Sequence, residues 1–104
     1  VLVLGAPTSN ATINLGAGID TVTLNAGGNT VTLTNVETIT GGASADIVTL
    51  GSAVTTGSIN LAGGNDRLTL GNFANTVTLT NIETIIGNAN DDIVTLGAAI
   101  TNGV

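Results

Sequence analysis

The sequence predicts an all-β chain wound as a parallel β-solenoid, a β-helix or β-roll with two coils in each 46-residue repeat. Three observations predict it. Residues 13–58 and 59–104 align without a gap, and 28 of the 46 positions are identical. Within each copy, apolar residues come in i, i+2 pairs, which is the period of a strand. Asn and Gly cluster between the pairs, where turns need positive φ.

The repetition is carried by long identical blocks. TVTLTN at 30–35 recurs at 76–81, ETI at 37–39 recurs at 83–85, and DIVTLG at 46–51 recurs at 92–97. Residues 2–12 align with 48–58, so 1–12 read as the tail of a preceding copy. Residues 13–58 and 59–104 then form two full copies of one continuous solenoid.

The strands follow from the apolar pairs. These are Ile13/Leu15, Val22/Leu24, Val31/Leu33 and Val48/Leu50, then Ile59/Leu61, Leu68/Leu70, Val77/Leu79 and Val94/Leu96, with Thr at most alternate positions. No segment carries helical i, i+3, i+4, i+7 spacing. Translational repetition favours coils stacked in parallel register, each laying its apolar pair on the pair below. A longer coil runs from Asp20 to Ala45, with strands around Val22, Val31 and Ile39. A shorter one runs from Asp46 to Asn65, with strands around Val48 and Ile59 and a weaker segment near Val54. A two-strand coil of about 18 residues does not divide the repeat, so a three-sided or irregular cross-section is expected. Leu33, Val36 and Ile39 are spaced by three, as are Leu79, Ile82 and Ile85, which breaks strand parity. A bend at Asn35 and Asn81 would turn Val36 and Ile82 inward and leave Glu37 and Glu83 in solvent.

Composition excludes several function classes. Seven carboxylates face a single cation, Arg67, and Phe73 is the sole aromatic. Such a surface cannot grip nucleic-acid phosphates or anionic lipid, and it offers no stacking platform for bases. No run reaches the ~20 apolar residues that span a bilayer, and no signal peptide is visible. Without His, Cys, Lys or Tyr, the usual acid–base and nucleophilic parts are missing, so no catalytic residue is assigned and an enzyme is not expected. The abundance of β-branched residues argues against disorder.

Four Asp residues each follow a small-residue loop and precede a strand pair: Asp20, Asp46, Asp66 and Asp92. Here the sequence resembles the RTX (hemolysin-type) calcium-binding repeat family, whose nonapeptide is G-G-x-G-x-D-x-U-x. GGASADIVT at 41–49 matches its leading glycines, Asp46 and Val48, and GNANDDIVT at 87–95 matches Gly87, Asp92 and Val94. Gly18 and Gly64 keep the fourth position, whereas Leu15 and Leu61 replace the first glycine. NVETITGG followed by DIVTLG also looks like the Thr- and Gly-rich β-strand repeats of S-layer proteins and giant adhesins of Gram-negative bacteria. The resemblance implies Ca²⁺ held between coils by loop carbonyls and by Asp20, Asp46, Asp66 and Asp92 in one column, with Asp91 a further candidate. The alternative is that each Asp binds backbone amides two residues on, as an Asx-turn before a strand.

The remaining residues read as structural. Asn14/Asn60, Asn29/Asn75 and Asn35/Asn81 are expected in turn ladders, and Arg67 on the surface. The functional expectation is a structural repeat segment of an extracellular or cell-surface bacterial fibre, adhesin or S-layer protein. It would continue into further repeats or associate end to end with other copies. The alternative is an ice- or surface-binding solenoid using outward Thr-x-Thr files.

Overall fold

The computed structural model describes residues 1–98; the last six residues of the second copy lie outside the described part. Among the described residues there are eleven short strands and no helix. They are β1 (Leu2–Val3), β2 (Ala11–Asn14), β3 (Thr21–Thr23), β4 (Thr30–Thr34), β5 (Thr38–Thr40) and β6 (Ile47–Leu50). The second half adds β7 (Gly57–Asn60), β8 (Arg67–Thr69), β9 (Thr76–Thr80), β10 (Thr84–Ile86) and β11 (Ile93–Leu96).

Consecutive strands alternate between two parallel sheets. The odd sheet has the order β1-β3-β5-β7-β9-β11 and the even sheet β10-β8-β6-β4-β2. Each strand pairs with the strand two elements on, so one turn of the chain crosses both sheets once. The pairing Leu2↔Val22 spans 20 residues and Val22↔Ile39 spans 17, and coils of these two lengths make up the stack. The result is a two-faced β-solenoid.

Alternation of Thr with aliphatic residues decides which face each strand buries. Val22, Leu33, Ile39, Val48, Ile59, Leu68, Leu70 and Leu79 are all between 0 % and 3 % exposed and form one continuous core between the sheets. Parallel register lays like on like: Val31 on Val48, Val48 on Leu68, and Leu68 on Ile85. Burial of each such side chain contributes about 1.5–3 kcal/mol, and the stiff β-branched rotamers lose little entropy on a pleated surface.

The expected bend is present. Asn35 and Asn81 adopt left-handed φ values of 56° and 54°, and Val36 and Ile82 turn into the core. Asn35 Nδ2 donates to Asn14 Oδ1 at 2.8 Å, and Asn81 Nδ2 to Asn60 Oδ1 at 3.0 Å, so each bend is tied to the coil below. Val54, read as a weak strand segment, is instead a buried turn residue whose carbonyl accepts the Thr76 N–H. Gly64 is required where it stands: at φ 117°, a Cβ there would sit 2.6 Å from Ser44 C and Ala45 N of the coil below.

Two expectations about winding are corrected. Each copy holds five strands, β2–β6 and then β7–β11, so a repeat makes two and a half turns rather than two. The cross-section has two sheets rather than three sides. An 18-residue coil does not divide 46 because the repeat ends half a turn out of phase. Equivalent strands, such as β2 and β7, therefore lie on opposite sheets.

Candidate functional site: the corner ladders

The candidate residues sit at the corners where the chain enters a strand. Register there is fixed by the sheets: Ile47 pairs with Arg67 and Arg67 with Thr84, which stacks Asp46, Asp66 and Glu83 in successive coils. At each level the residue before the strand offers an N–H, and a side-chain oxygen one coil on accepts it. This satisfies a buried donor that the backbone ladder does not reach.

At the entrance to the even sheet the ladder is continuous. Thr8 N–H donates to Asn29 Oδ1 at 3.2 Å, and Asn29 N–H to Asp46 Oδ1 at 2.9 Å. Asp46 N–H then donates to Asp66 Oδ1, and Asp66 N–H to Glu83 Oε2, both at 2.7 Å. Asn29 also donates through Nδ2 to Asp46 Oδ1 and to the carbonyls of Asn25 and Gly27, which closes the preceding turn. Asp46 is fully buried and Asp66 is 1 % exposed.

At the entrance to the odd sheet the ladder comes in two pieces. Asp20 N–H donates to Glu37 Oε2 at 2.8 Å. Farther along, Val54 N–H donates to Asn75 Oδ1 and Asn75 N–H to Asp92 Oδ1, each at 3.0 Å. Between them Glu37 passes its carbonyl, not its side chain, to Ser58 N–H.

The single column of four Asp residues is thus corrected. Asp46 and Asp66 stack together, while Asp20 and Asp92 stand at the opposite corner, because the odd strand count moves each copy by half a turn. Asp91 is exposed and takes no part in either ladder. The local Asx-turn is also not what these Asp residues make, although Asn14, Asn25 and Asn60 do make it to Gly16, Gly27 and Ala62. Glu37 and Glu83 are not solvated: both are half-buried acceptors for the N–H of Asp20 and Asp66. A sequence signal for all of these was present. Asn29, Glu37, Asp46, Asp66, Asn75, Glu83 and Asp92 each stand two residues before the first inward apolar position of a strand, as Asp20 does.

The charge of the even ladder is poorly compensated. Asp66 Oδ2 is buried with no hydrogen-bond partner, and the equivalent Oδ2 of Asp20 is in the same condition. Burial pushes the Asp66 carboxyl up to about 6, opposed by the Asp46 N–H and reinforced by the charges of Asp46 and Glu83. Arg67 is exposed on the outer face of β8. The described side chains alone do not assemble a Ca²⁺ cage of six to eight oxygens. The Asp carboxylates are divided between two corners, the Oδ1 atoms of Asp46, Asp66 and Asp92 are committed to N–H groups, and no group of three or more metal-ligating side chains converges among the described residues.

Two shallow clefts complete the surface. One of about 110 Å³ lies against Thr12, Thr30, Thr32 and Thr49 on the even sheet; the other, of about 100 Å³, lies against Thr56, Thr76, Thr78 and Thr95 on the odd sheet. They are the same place in the two copies, carried to opposite faces by the half-turn. Neither contains an ionisable side chain. Comparison with protein-family models, with curated proteins and with solved structures finds no match.

Proposed function

We propose that the chain is a structural repeat segment of an extracellular bacterial fibre, adhesin or S-layer protein, a spacer that works by its length and stiffness. The observation that carries this reading is the like-on-like stack: one aliphatic core and one side-chain ladder pass from coil to coil with nothing that limits the number of coils. Such a solenoid gains stability from each neighbour it adds, and its rise grows linearly with copy number. Its two clefts are lined by Thr hydroxyls and hold no ionisable side chain that could activate them, which suits a spacer. Its partners in this role are further repeats or other copies joined end to end. A location outside the cell accords with the scarcity of Lys and Arg, the residues that trypsin-like proteases cleave.

Proteins with one, two and three 46-residue copies test the proposal. Two and a half coils at a ~4.8 Å strand spacing should lengthen the particle by about 12 Å per copy in small-angle scattering. The melting temperature should climb with each copy. A particle that grows in all directions, or a melting temperature independent of copy number, defeats the spacer reading.

A further inference from the structure

The two ends of the stack are unevenly covered, and the unevenness points to a partner. Among the described residues the odd sheet has six strands and the even sheet five. The odd sheet therefore projects at both ends, through β1 at one and β11 at the other. By the 46-residue repeat these are the same strand, since residues 1–4, 47–50 and 93–96 are equivalent. Only the middle one, β6, is fully seated. It meets β8 through Ile47↔Arg67, Val48↔Leu68 and Thr49↔Thr69, and the Asp46 N–H donates to Asp66 Oδ1. β1 meets β3, the equivalent of β8, through Leu2↔Val22 and Val3↔Thr23 alone. β11 lies on β9 with its other edge open among the described residues, and Val94 is 37 % exposed where Val48 is fully buried.

We propose that the open edge of β11 is a docking site for a second copy of this chain, joined by strand exchange. β11 of one chain replaces β1 of the second against its β3, and β10 of the first lies on β2 of the second. Both pairings repeat ones that the chain already makes. β10 on β2 is equivalent to β5 on β7, and β11 on β3 is equivalent to β6 on β8. In that register Val94 covers Val22, Thr95 stands beside Thr23, and the Asp92 N–H meets Asp20 Oδ1 as the Asp46 N–H meets Asp66 Oδ1. β11 adds two contacts that β1 does not make, Ile93 with Thr21 and Asp92 with Asp20. The strand count also demands exchange. Setting β11 on an intact β1 would leave a gap one strand wide between the even sheets, with the edges of β10 and β2 unpaired. Displacing β1 closes the gap and leaves ten strands, five full turns, per chain. Main-chain bonds along the open edge supply affinity, and the alternating apolar positions supply register. The contact is head-to-tail and does not close on itself, so it propagates as a filament. The joint deepens the spacer reading; a spacer of covalent repeats stands if the joint fails, and the copy-number series tests that separately.

Cross-linking of the full chain tests it. The sequence has no cysteine, so single Thr23→Cys and Thr95→Cys variants each carry one outward thiol on the odd sheet. Strands ~4.8 Å apart suit a disulfide, which spans Cα atoms about 4.4–6.8 Å apart. In an equimolar mixture with one variant isotope-labelled, mass spectrometry should find mixed dimers well above the statistical half. Deleting residues 1–4 removes the strand that β11 must displace. It should tighten association about tenfold in analytical ultracentrifugation, the equivalent of ~1.4 kcal/mol. Circular dichroism melts show whether that variant folds, and the cysteine mixture decides the matter if it does not. Particles of the unaltered chain should lengthen in steps of about 24 Å, five turns of ~4.8 Å. A chain that stays single at millimolar concentration, or mixed dimers at or below one half, overturns the proposal. Weaker association after the deletion also overturns it, since that is the result for ends that abut with β1 seated on β10 and β2 on β11.

Discussion

Copy 1 and copy 2 have nearly the same strands, yet the same residue is a different physical object in each. Leu50 is 3 % exposed and Leu96, its equivalent, is 51 % exposed. Asp46 is sealed between the turn of Asn29 and the coil of Asp66, whereas its equivalent, Asp92, is only half-buried. Asp20 and Asp66 share an orphaned Oδ2, but only Asp66 has another Asp stacked in the coil below. In a solenoid, environment is set by which coils lie on either side. Identity of sequence therefore does not give identity of energy.

The comparison can be broken most directly at the core. Leu79→Asp should unfold the coils around β9, because an unpaired buried charge costs several kcal/mol. Thr78→Asp, one residue away and exposed, should leave the melting temperature nearly unchanged. Equal damage from both, read by denaturant unfolding, would mean that the faces are misassigned.

A cavity tests the copies against each other. Leu50→Ala should cost about 2–5 kcal/mol, as for a buried leucine, and Leu96→Ala markedly less. Matching losses would show that β11 is as deeply covered in solution as β6. At the corners the effect is smaller. Asp46→Ala strands the backbone N–H of Asn29, whose Nδ2 keeps the carbonyls of Asn25 and Gly27, and should cost about 1–3 kcal/mol for the unsatisfied donor. Asp92→Ala strands the backbone N–H of Asn75 at a half-buried corner and should cost less.

The pH dependence tests the burial of Asp66. The folded protein holds the Asp66 proton up to about pH 6, above the ordinary carboxylate value of 3.8. The native state therefore binds more protons than the unfolded one between those values, and stability falls as pH rises through that window and then levels. The melting temperature should rise on acidification from pH 7 to 5. Asp66→Asn should flatten this dependence. The smallest expected effect is that of calcium: millimolar Ca²⁺ against chelator should not move the melting temperature. A calcium-specific rise, absent with Mg²⁺, would show that the free oxygens of Asp66 and Asp20 recruit an ion.

The strands, their inward and outward faces and the bends at Asn35 and Asn81 are legible in the order of residues alone. Each depends on a two-residue alternation or on one residue's φ preference, and both are local. The corner acceptors were marked too, since Asn, Asp or Glu stands two residues before the first inward apolar position of β3–β6 and β8–β11, although Glu37 and Glu83 read as solvated until their coil neighbours were in place. The phase of the winding emerges from the packing of the two sheets. Five strands per copy and two sheets leave a half-turn remainder, and that remainder sends Asp20 to one corner and Asp66 to the other. The same remainder carries equal clefts to opposite faces. Phase is a property of how many coils close around the core, which no window of adjacent residues contains.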